Sequence, residues 1–212
     1  QLRQHDDDKK RKKQPEPLMF PGTHDIYPEN YDACATVLGK LLGAENRVLV
    51  VSKPRPEIIR RLCEDFADYR RQILFRFTIG SQDDEVLRFW EPGAPAYAER
   101  LKSLQHTFEK GFMTSVSIEP VLEPDKSPAL VEAVTPFVNQ SIWIGLMEHF
   151  WYMDSYNSQV KTDAGRQRVQ QNLAYFGVEK AAQIREWLRA LKNAQGKSEI
   201  EKLYASLKDH PL

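Results

Sequence analysis

Residues 48–79, VLVVSKPRPEIIRRLCEDFADYRRQILFRFTI, contain the pattern that decides the fold of this chain. The stretch begins with a short apolar run at 48–51 and ends with a second one at 73–79. Both runs are rich in β-branched or aromatic residues, which is typical of strands. The apolar residues between them recur at helical spacing, and they are Ile58, Ile59, Leu62, Cys63 and Phe66. This succession predicts parallel strands joined by a right-handed crossover through a helix.

The same alternation continues on both sides of this stretch. Further short apolar runs lie at 18–20, 114–118 and 141–144. Helical patterns lie between the runs, at 28–43, 55–70, 82–90, 96–110 and 127–137. Five strands are too few to close a barrel of eight. We therefore predict an α/β fold with about five parallel strands, forming either an open sheet or a partial (β/α) barrel.

Two flanking segments differ from this domain, which we place at 17–150. Residues 1–16 join an acidic block to a basic block, whose charges cancel within a Debye length, so we expect a charged flexible segment. Residues 151–212 hold no strand pattern, and we expect a C-terminal helical region there. Its helices are predicted at 162–176, 179–193 and 197–208.

Composition excludes several classes of protein. Hydrophobic residues make up 41% and charged residues 28% of the 212, which is typical of a soluble globular protein. Thirty basic residues balance thirty acidic ones, so no net charge attracts the protein to nucleic acid or to a membrane. Binding to nucleic acid would therefore depend on local contacts. No apolar run reaches the length of about 18 residues that spans a bilayer. Two cysteines without CxxC spacing favour a reducing, cytoplasmic location.

Polar residues follow each apolar run. Ligands of parallel α/β folds lie at the carboxyl ends of the strands, so these residues predict a pocket rim. They are Thr23, His24 and Asp25 after the first run, Ser52 and Lys53 after the second, Ser81 after the third, Glu119 after the fourth and Glu148 after the fifth. Three of them have an alternative structural role: Thr23 and Asp25 as turn and cap residues, and Lys53 as a surface lysine.

Arg76 lies in the middle of an apolar run, where a charge needs a partner. It would suit a ligand carboxylate, or it would form a structural ion pair with Glu119. The histidines share no zinc-ligand spacing, and glycine-rich nucleotide motifs and the GxSxG motif are absent.

Several segments together resemble radical SAM proteins of the spore photoproduct lyase-like branch, over about residues 18–148. The segments are MFPGTHDIYPEN at 19–30, the run 48–54, FRFTI at 75–79, and EPGAP at 91–95 followed by Arg100. The resemblance implies a partial (β/α)6 barrel that binds S-adenosylmethionine (SAM) across its strand ends, beside a [4Fe-4S] cluster. The cluster would cleave SAM reductively to start radical chemistry on an unknown substrate.

The resemblance also implies roles for individual residues. Thr23, His24 and Asp25 would hold the methionine amino group, and Ser52 and Lys53 would face the pocket. Arg76 and Thr78 would contact the methionine carboxylate and the ribose. Ser117 and Glu119 would contact the ribose or the substrate, and Trp143 would form part of the adenine wall.

The cysteines depart from the family pattern, because no CxxxCxxC motif is present. Cys34 and Cys63 fall on the core faces of separate helices and cannot replace it. We therefore expect this chain to be inactive by itself. We favour the hypothesis that a first strand with its cysteine loop precedes Gln1 in a longer protein. The competing hypothesis is that this protein has lost the cluster site. A missing strand would leave an exposed sheet edge, which predicts self-association.

Two other functions remain open. The first is a binding module that has kept the pocket and lost the cluster. The second is a lyase or aldolase-like enzyme that uses Lys53 as a Schiff-base or acid–base group with Asp25 or Glu119.

Overall fold

The computed structural model describes residues 17–145, 161–167 and 194–196 of the chain. Six parallel strands form one sheet, and their order in the sheet is their order in the sequence. They are β1 (Leu18–Phe20), β2 (Val48–Ser52), β3 (Ile73–Thr78), β4 (Met113–Ile118), β5 (Ile142–Ile144) and β6 (Ala194–Gly196). Each new strand is added on the same side of the previous one, which is the arrangement of a barrel arc. The predicted α/β fold with a partial parallel barrel is confirmed.

One expectation about the tail is wrong. We expected no strand beyond residue 160, but Ala194–Gly196 pairs in parallel with Ile142–Ile144 as β6. The predicted tail helices lie mostly outside the described residues, apart from a helical stretch at 163–167. The charged segment 1–16 lies wholly outside them.

Among the described residues, five α-helices connect β1 to β5 near the positions that the sequence pattern predicts. They are α1 (Tyr31–Gly43), α2 (Pro56–Asp65), α3 (Asp84–Trp90), α4 (Tyr97–Glu109) and α5 (Ser127–Val134). Proline opens α2, where its missing N–H costs no hydrogen bond. The Asp83 carboxylate caps α3 by accepting from the Glu85 main-chain N–H at 2.9 Å. Gly111 ends the turn after α4 with a φ of 78°, a conformation that other residues rarely adopt.

The core lies between one side of the sheet and the helices. Along β3, Ile73, Phe75 and Phe77 are fully buried against helical residues of the same cluster, which include Leu38, Ile59 and Leu104. The alternate residues Leu74, Arg76 and Thr78 point to the opposite side and are half-buried. We call that opposite side of the sheet the inner face. It carries Met19, Leu49, Val51, Leu74, Arg76, Thr78, Met113, Ser115, Ser117 and Trp143.

Both cysteines are buried in this core, as the helical spacing predicts. Burial raises the pKa of the Cys63 thiol to about 11. A thiol of that kind acts as a small hydrophobic side chain.

The sheet has an edge at β1, whose pairing among the described residues is with β2. Leu18 and Met19 on this edge are exposed, by 46% and 58%. Self-association through the edge stays a prediction. Within residues 17–145, 161–167 and 194–196, no helix is long and apolar enough to cross a membrane.

Candidate functional site

A cavity of about 220 Å³ lies at the carboxyl ends of β1, β2 and β3. Its apolar part comes from Met19, Pro21 and Val51. Its polar part consists of six of the residues predicted from the sequence, which are Thr23, His24, Asp25, Ser52, Lys53 and Thr78. Parallel strands end at the same edge of the sheet, and this brings together residues that are up to 55 positions apart in the sequence (78 − 23).

Asp25 joins the loop after β1 to the end of β2. Its Oδ1 atom accepts hydrogen bonds from Ser52 Oγ at 3.0 Å and from the Lys53 main-chain nitrogen at 2.8 Å. The loop is held from the other side by Asn30, whose Nδ2 donates to the Asp25 carbonyl at 3.1 Å. Two hydrogen bonds therefore fix the Asp25 carboxylate at the cavity wall, and a third holds its main chain. Asp25, Ser52 and Lys53, which the sequence places at the pocket rim, are in contact with one another.

His24 is held at the mouth of the same cavity. Its Nδ1 lies 3.4 Å from Thr23 Oγ1, and its Nε2 lies 3.9 Å from the Cys34 sulfur. Burial raises the pKa of Cys34, so this thiol is protonated at neutral pH. The contact between His24 and Cys34 has no signal in the sequence, because it depends on how α1 packs below the loop.

The predicted residues Arg76 and Trp143 meet on the inner face, deeper along the strands, together with two serines that were not predicted. Arg76 Nε donates to Ser115 Oγ at 3.2 Å, and the guanidinium carbon lies 4.9 Å from the centre of the Trp143 ring. Ser115 in turn donates to the Ser141 carbonyl at 2.7 Å, and Trp143 Nε1 donates to Ser141 Oγ at 2.9 Å. Strand register places these residues side by side, with Arg76 opposite Ser115 and Ser117 opposite Trp143.

Glu119 lies beyond this group at the end of β4. Its Oε2 accepts from Ser117 Oγ at 3.4 Å, and a Cβ atom on Gly145 would come within 3.0 Å of its side chain. The ion pairs among the described residues do not include one between Glu119 and Arg76. Desolvation lowers the pKa of Arg76, and the charge of Glu119 acts in the opposite direction from a distance.

Two glutamates whose contacts the sequence did not predict, Glu91 and Glu123, link loops that follow the strands. Arg100 is fully buried and pairs with Glu91, and its guanidinium also donates to the main-chain carbonyls of Pro95 and Thr78. The signal for this contact was the EPGAP segment followed by an arginine. Between the next two loops, Ser81 donates to Glu123, which pairs with Lys126 at 2.6 Å.

A third link crosses the rim on the outside. Arg55, just after β2, donates from Nη2 to the Gly93 carbonyl at 3.1 Å, and its guanidinium stacks on the Tyr27 ring at 5.2 Å. Gly93 has a φ of 83°, a conformation that glycine adopts without strain. The loops after β1, β2 and β3 are therefore fastened to one another around the cavity.

The residues present do not fit an iron–sulfur cluster. Such a cluster is held by cysteine thiolates, and the chain has only two cysteines. These lie buried on α1 and α2 with raised pKa values. Within the described part of the chain, no group of three or more His, Cys, Asp or Glu side chains could hold a metal ion.

Comparisons with known proteins extend this picture. No family model matches the sequence. The chain is 26% identical over 110 residues to the uncharacterized protein ORF301 of Acidianus two-tailed virus, a match that covers 51% of this chain and 36% of the viral protein. Its fold is similar to that of Streptococcus suis SuiB in a crystal structure bound to S-adenosylmethionine. That alignment has a TM-score of 0.54 and 8% identity, and it covers 82% of this chain and 38% of SuiB.

The chain thus spans little more than a third of the length of either protein it matches. At 8% identity the likeness to SuiB concerns the fold. The fold and the site together define an α/β protein with a partly polar cavity at the strand ends.

Proposed function

We propose that this chain is the SAM-binding part of a longer radical SAM enzyme. The observation that carries the proposal is the cavity at the ends of β1–β3, lined by Asp25, Ser52 and Lys53, in a fold shared with a protein solved with SAM bound. The sequence resemblance to radical SAM proteins gives independent support. The spore photoproduct lyase-like branch remains a prediction from that resemblance.

The cavity suits the methionine end of SAM. A carboxylate on one wall and a lysine on another complement an α-ammonium and an α-carboxylate group. The volume of about 220 Å³ is below the range of about 300–1,000 Å³ that is usual for larger ligands. The cavity would therefore hold one end of SAM, and we place the ribose near Thr78 and Ser117 at the neighbouring strand ends.

Bound SAM would supply an adenosyl group for radical chemistry once a cluster is present. The residues of this chain do not fit that cluster, so its ligands would belong to the longer protein. The part of the reaction that we assign to this chain is to bind and orient SAM. A cytoplasmic location is part of the same proposal.

Binding of SAM is tested directly by isothermal titration calorimetry with the full chain. We expect saturable binding, and we expect Asp25→Ala to weaken it at least tenfold, because this substitution removes the fixed carboxylate. Asp32→Ala is the matched control, since Asp32 is an exposed carboxylate on α1. Absence of saturable binding at millimolar SAM would refute the proposal.

The position of Lys53 favours one competing function. Its side chain borders the cavity that contains Asp25, so a carbonyl substrate bound there would lie within reach of the lysine amine. Borohydride reduction with a panel of aldehydes and ketones tests it, with Lys53→Arg as the control. A trapped adduct on Lys53 that the control lacks would favour a lyase. The second alternative, a cluster-free binding module, would be favoured if the chain binds SAM and the full-length protein also lacks a CxxxCxxC motif.

A further inference from the structure

The inner face changes in character along the strands. At the level nearest the amino ends it is apolar, with Leu49 of β2, Leu74 of β3 and Met113 of β4 in neighbouring register positions. One level further it carries Val51, Arg76 and Ser115. The face therefore presents an apolar floor below a single guanidinium.

Arg76 is only partly satisfied by this environment. Its Nε atom is used by Ser115, and one side of its guanidinium plane lies near the Trp143 ring. Among the described residues it takes part in no ion pair. A half-buried charge of this kind gains from an anionic partner more than an exposed charge does, because less water competes for it.

We propose that the inner face binds a second ligand, a compound with an apolar or aromatic body and one anionic group. The anionic group pairs with Arg76, and the body lies on Leu49, Leu74 and Met113 or against Trp143. In the longer enzyme this ligand is the substrate, or the part of it held next to the reacting carbon.

The inference rests on the proposed function in one respect, which is that SAM occupies the cavity at the ends of β1–β3. The resemblance assigned Arg76 to the methionine carboxylate and Trp143 to the adenine wall. These are opposite ends of SAM, yet the guanidinium and the indole ring are in contact at 4.9 Å. A single ligand group bound between the two fits this spacing better.

A pair of fluorescent probes tests the charge requirement without SAM. Anilinonaphthalene sulfonate has an apolar body with one anionic group, and N-phenylnaphthylamine has the same kind of body without the charge. We expect Arg76→Met to weaken the binding of the sulfonate about tenfold and to leave the binding of the neutral amine unchanged. Arg88→Met, at an exposed arginine of α3, should change neither.

Two results would overturn the inference. The first is equal affinity of wild type and Arg76→Met for the sulfonate, and the second is an equal loss for both probes. Arg76→Lys keeps the charge and provides the test if the methionine variant does not fold. Arg76→Lys should retain most of the affinity for the sulfonate. A loss of affinity of the same size for the sulfonate and for the neutral amine would again overturn the proposal.

Calorimetry with SAM separates this inference from the proposed function. We expect Arg76→Met to bind SAM as tightly as wild type does. If the variant loses SAM binding and keeps the sulfonate, Arg76 serves SAM and the inference is wrong. If wild type does not bind SAM but the contrast between the probes persists, the proposed function fails and the inner-face site stands.

Discussion

Glu91 and Arg100 form a buried ion pair, in which Oε2 and Nη1 lie 2.7 Å apart and the arginine side chain has no exposed surface. The same guanidinium donates from Nε to the Pro95 carbonyl at 2.8 Å and from Nη1 to the Thr78 carbonyl at 3.1 Å. Thr78 lines the cavity at the strand ends. One arginine thus fastens the 91–95 loop to the end of β3, next to the proposed SAM site.

Removing either partner of this pair should destabilise the protein strongly. We expect Glu91→Gln and Arg100→Met each to cost about 3–5 kcal/mol, because a buried charge is left without its partner. Asp32→Asn breaks the exposed pair of Asp32 with Arg61 and should cost about 0–1 kcal/mol. Urea unfolding followed by circular dichroism measures all three. Equal losses for the buried and the exposed pair would contradict the expectation.

Asp25 and Ser52 should act on SAM binding as a coupled pair. Asp25→Ala removes the acceptor at the cavity wall, whereas Ser52→Ala removes one of its two donors and leaves the Lys53 nitrogen. We expect the serine variant to weaken SAM binding by about two- to fivefold, and the double variant to be no worse than Asp25→Ala. Calorimetry on the four proteins completes the cycle. Strictly additive losses would mean that the hydrogen bond does not position Asp25.

Cys63 should make stability depend on alkaline pH. Its pKa is raised from 9.0 to about 11 by burial in the fold, so the folded state holds the proton more tightly than the unfolded state does. The protonated thiol contributes about 2–3 kcal/mol to the free energy of unfolding. This contribution is fully present below pH 9 and is lost as the pH rises through 11. The free energy of unfolding of Cys63→Ala should fall less steeply than that of wild type between these pH values. Parallel curves would assign the slope to other groups, of which Tyr31 is the first candidate because burial raises its pKa as well.

Anaerobic reconstitution of this chain with iron and sulfide should give no stable [4Fe-4S] cluster. Two buried cysteines on separate helices cannot supply the cysteine ligands of such a cluster. Iron and sulfide analysis after gel filtration measures the result, with Cys34→Ala and Cys63→Ala as controls. A stoichiometric cluster that both controls lose would show that the cysteines rearrange to bind it.

Alanine substitutions at Gly145 and Gly39 should have opposite effects on the stability of the fold. At Gly145 a Cβ atom would lie 3.0 Å from three atoms of the Glu119 side chain, so that side chain must move, and we expect a loss of about 1–3 kcal/mol. At Gly39, inside α1, the nearest atom is a Phe66 carbon at 3.7 Å, an ordinary contact. Gly39→Ala should stabilise the protein by about 0.5–1 kcal/mol through helix propensity. Thermal unfolding of the two variants measures the signs, and the same sign for both would contradict the account.

Much of the fold could be predicted because local pattern and tertiary environment agree. The runs at 48–51 and 73–79 are apolar enough to be buried on the helix side, and each is followed by a clear amphipathic helix. The strand Ala194–Gly196 could not be predicted in this way. Its residues have low strand propensity, and it is defined by its pairing with β5.

The sequence predicted six of the residues that line the cavity, but it did not predict which residues contact one another. The rule that ligands lie at the ends of parallel strands identified Asp25, Ser52 and Lys53, which lie together at the cavity. No rule of that kind states which residue of one strand lies opposite which residue of the next. The contact of Arg76 with Trp143 depends on two successive registers, from β3 to β4 and from β4 to β5.

The sequence by itself determined the order of strands and helices and the polar residues at the strand ends, because hydrophobic period and turn residues act over a few neighbouring positions. It also determined that the chain lacks the cysteines for a cluster. Only the tertiary structure decided that Asp25 is fixed by Ser52 and Lys53, that Arg76 lies beside Trp143, and that Arg100 holds the loop at 91–95 to β3. These contacts join residues far apart in the chain, and strand register and helix packing set their distances.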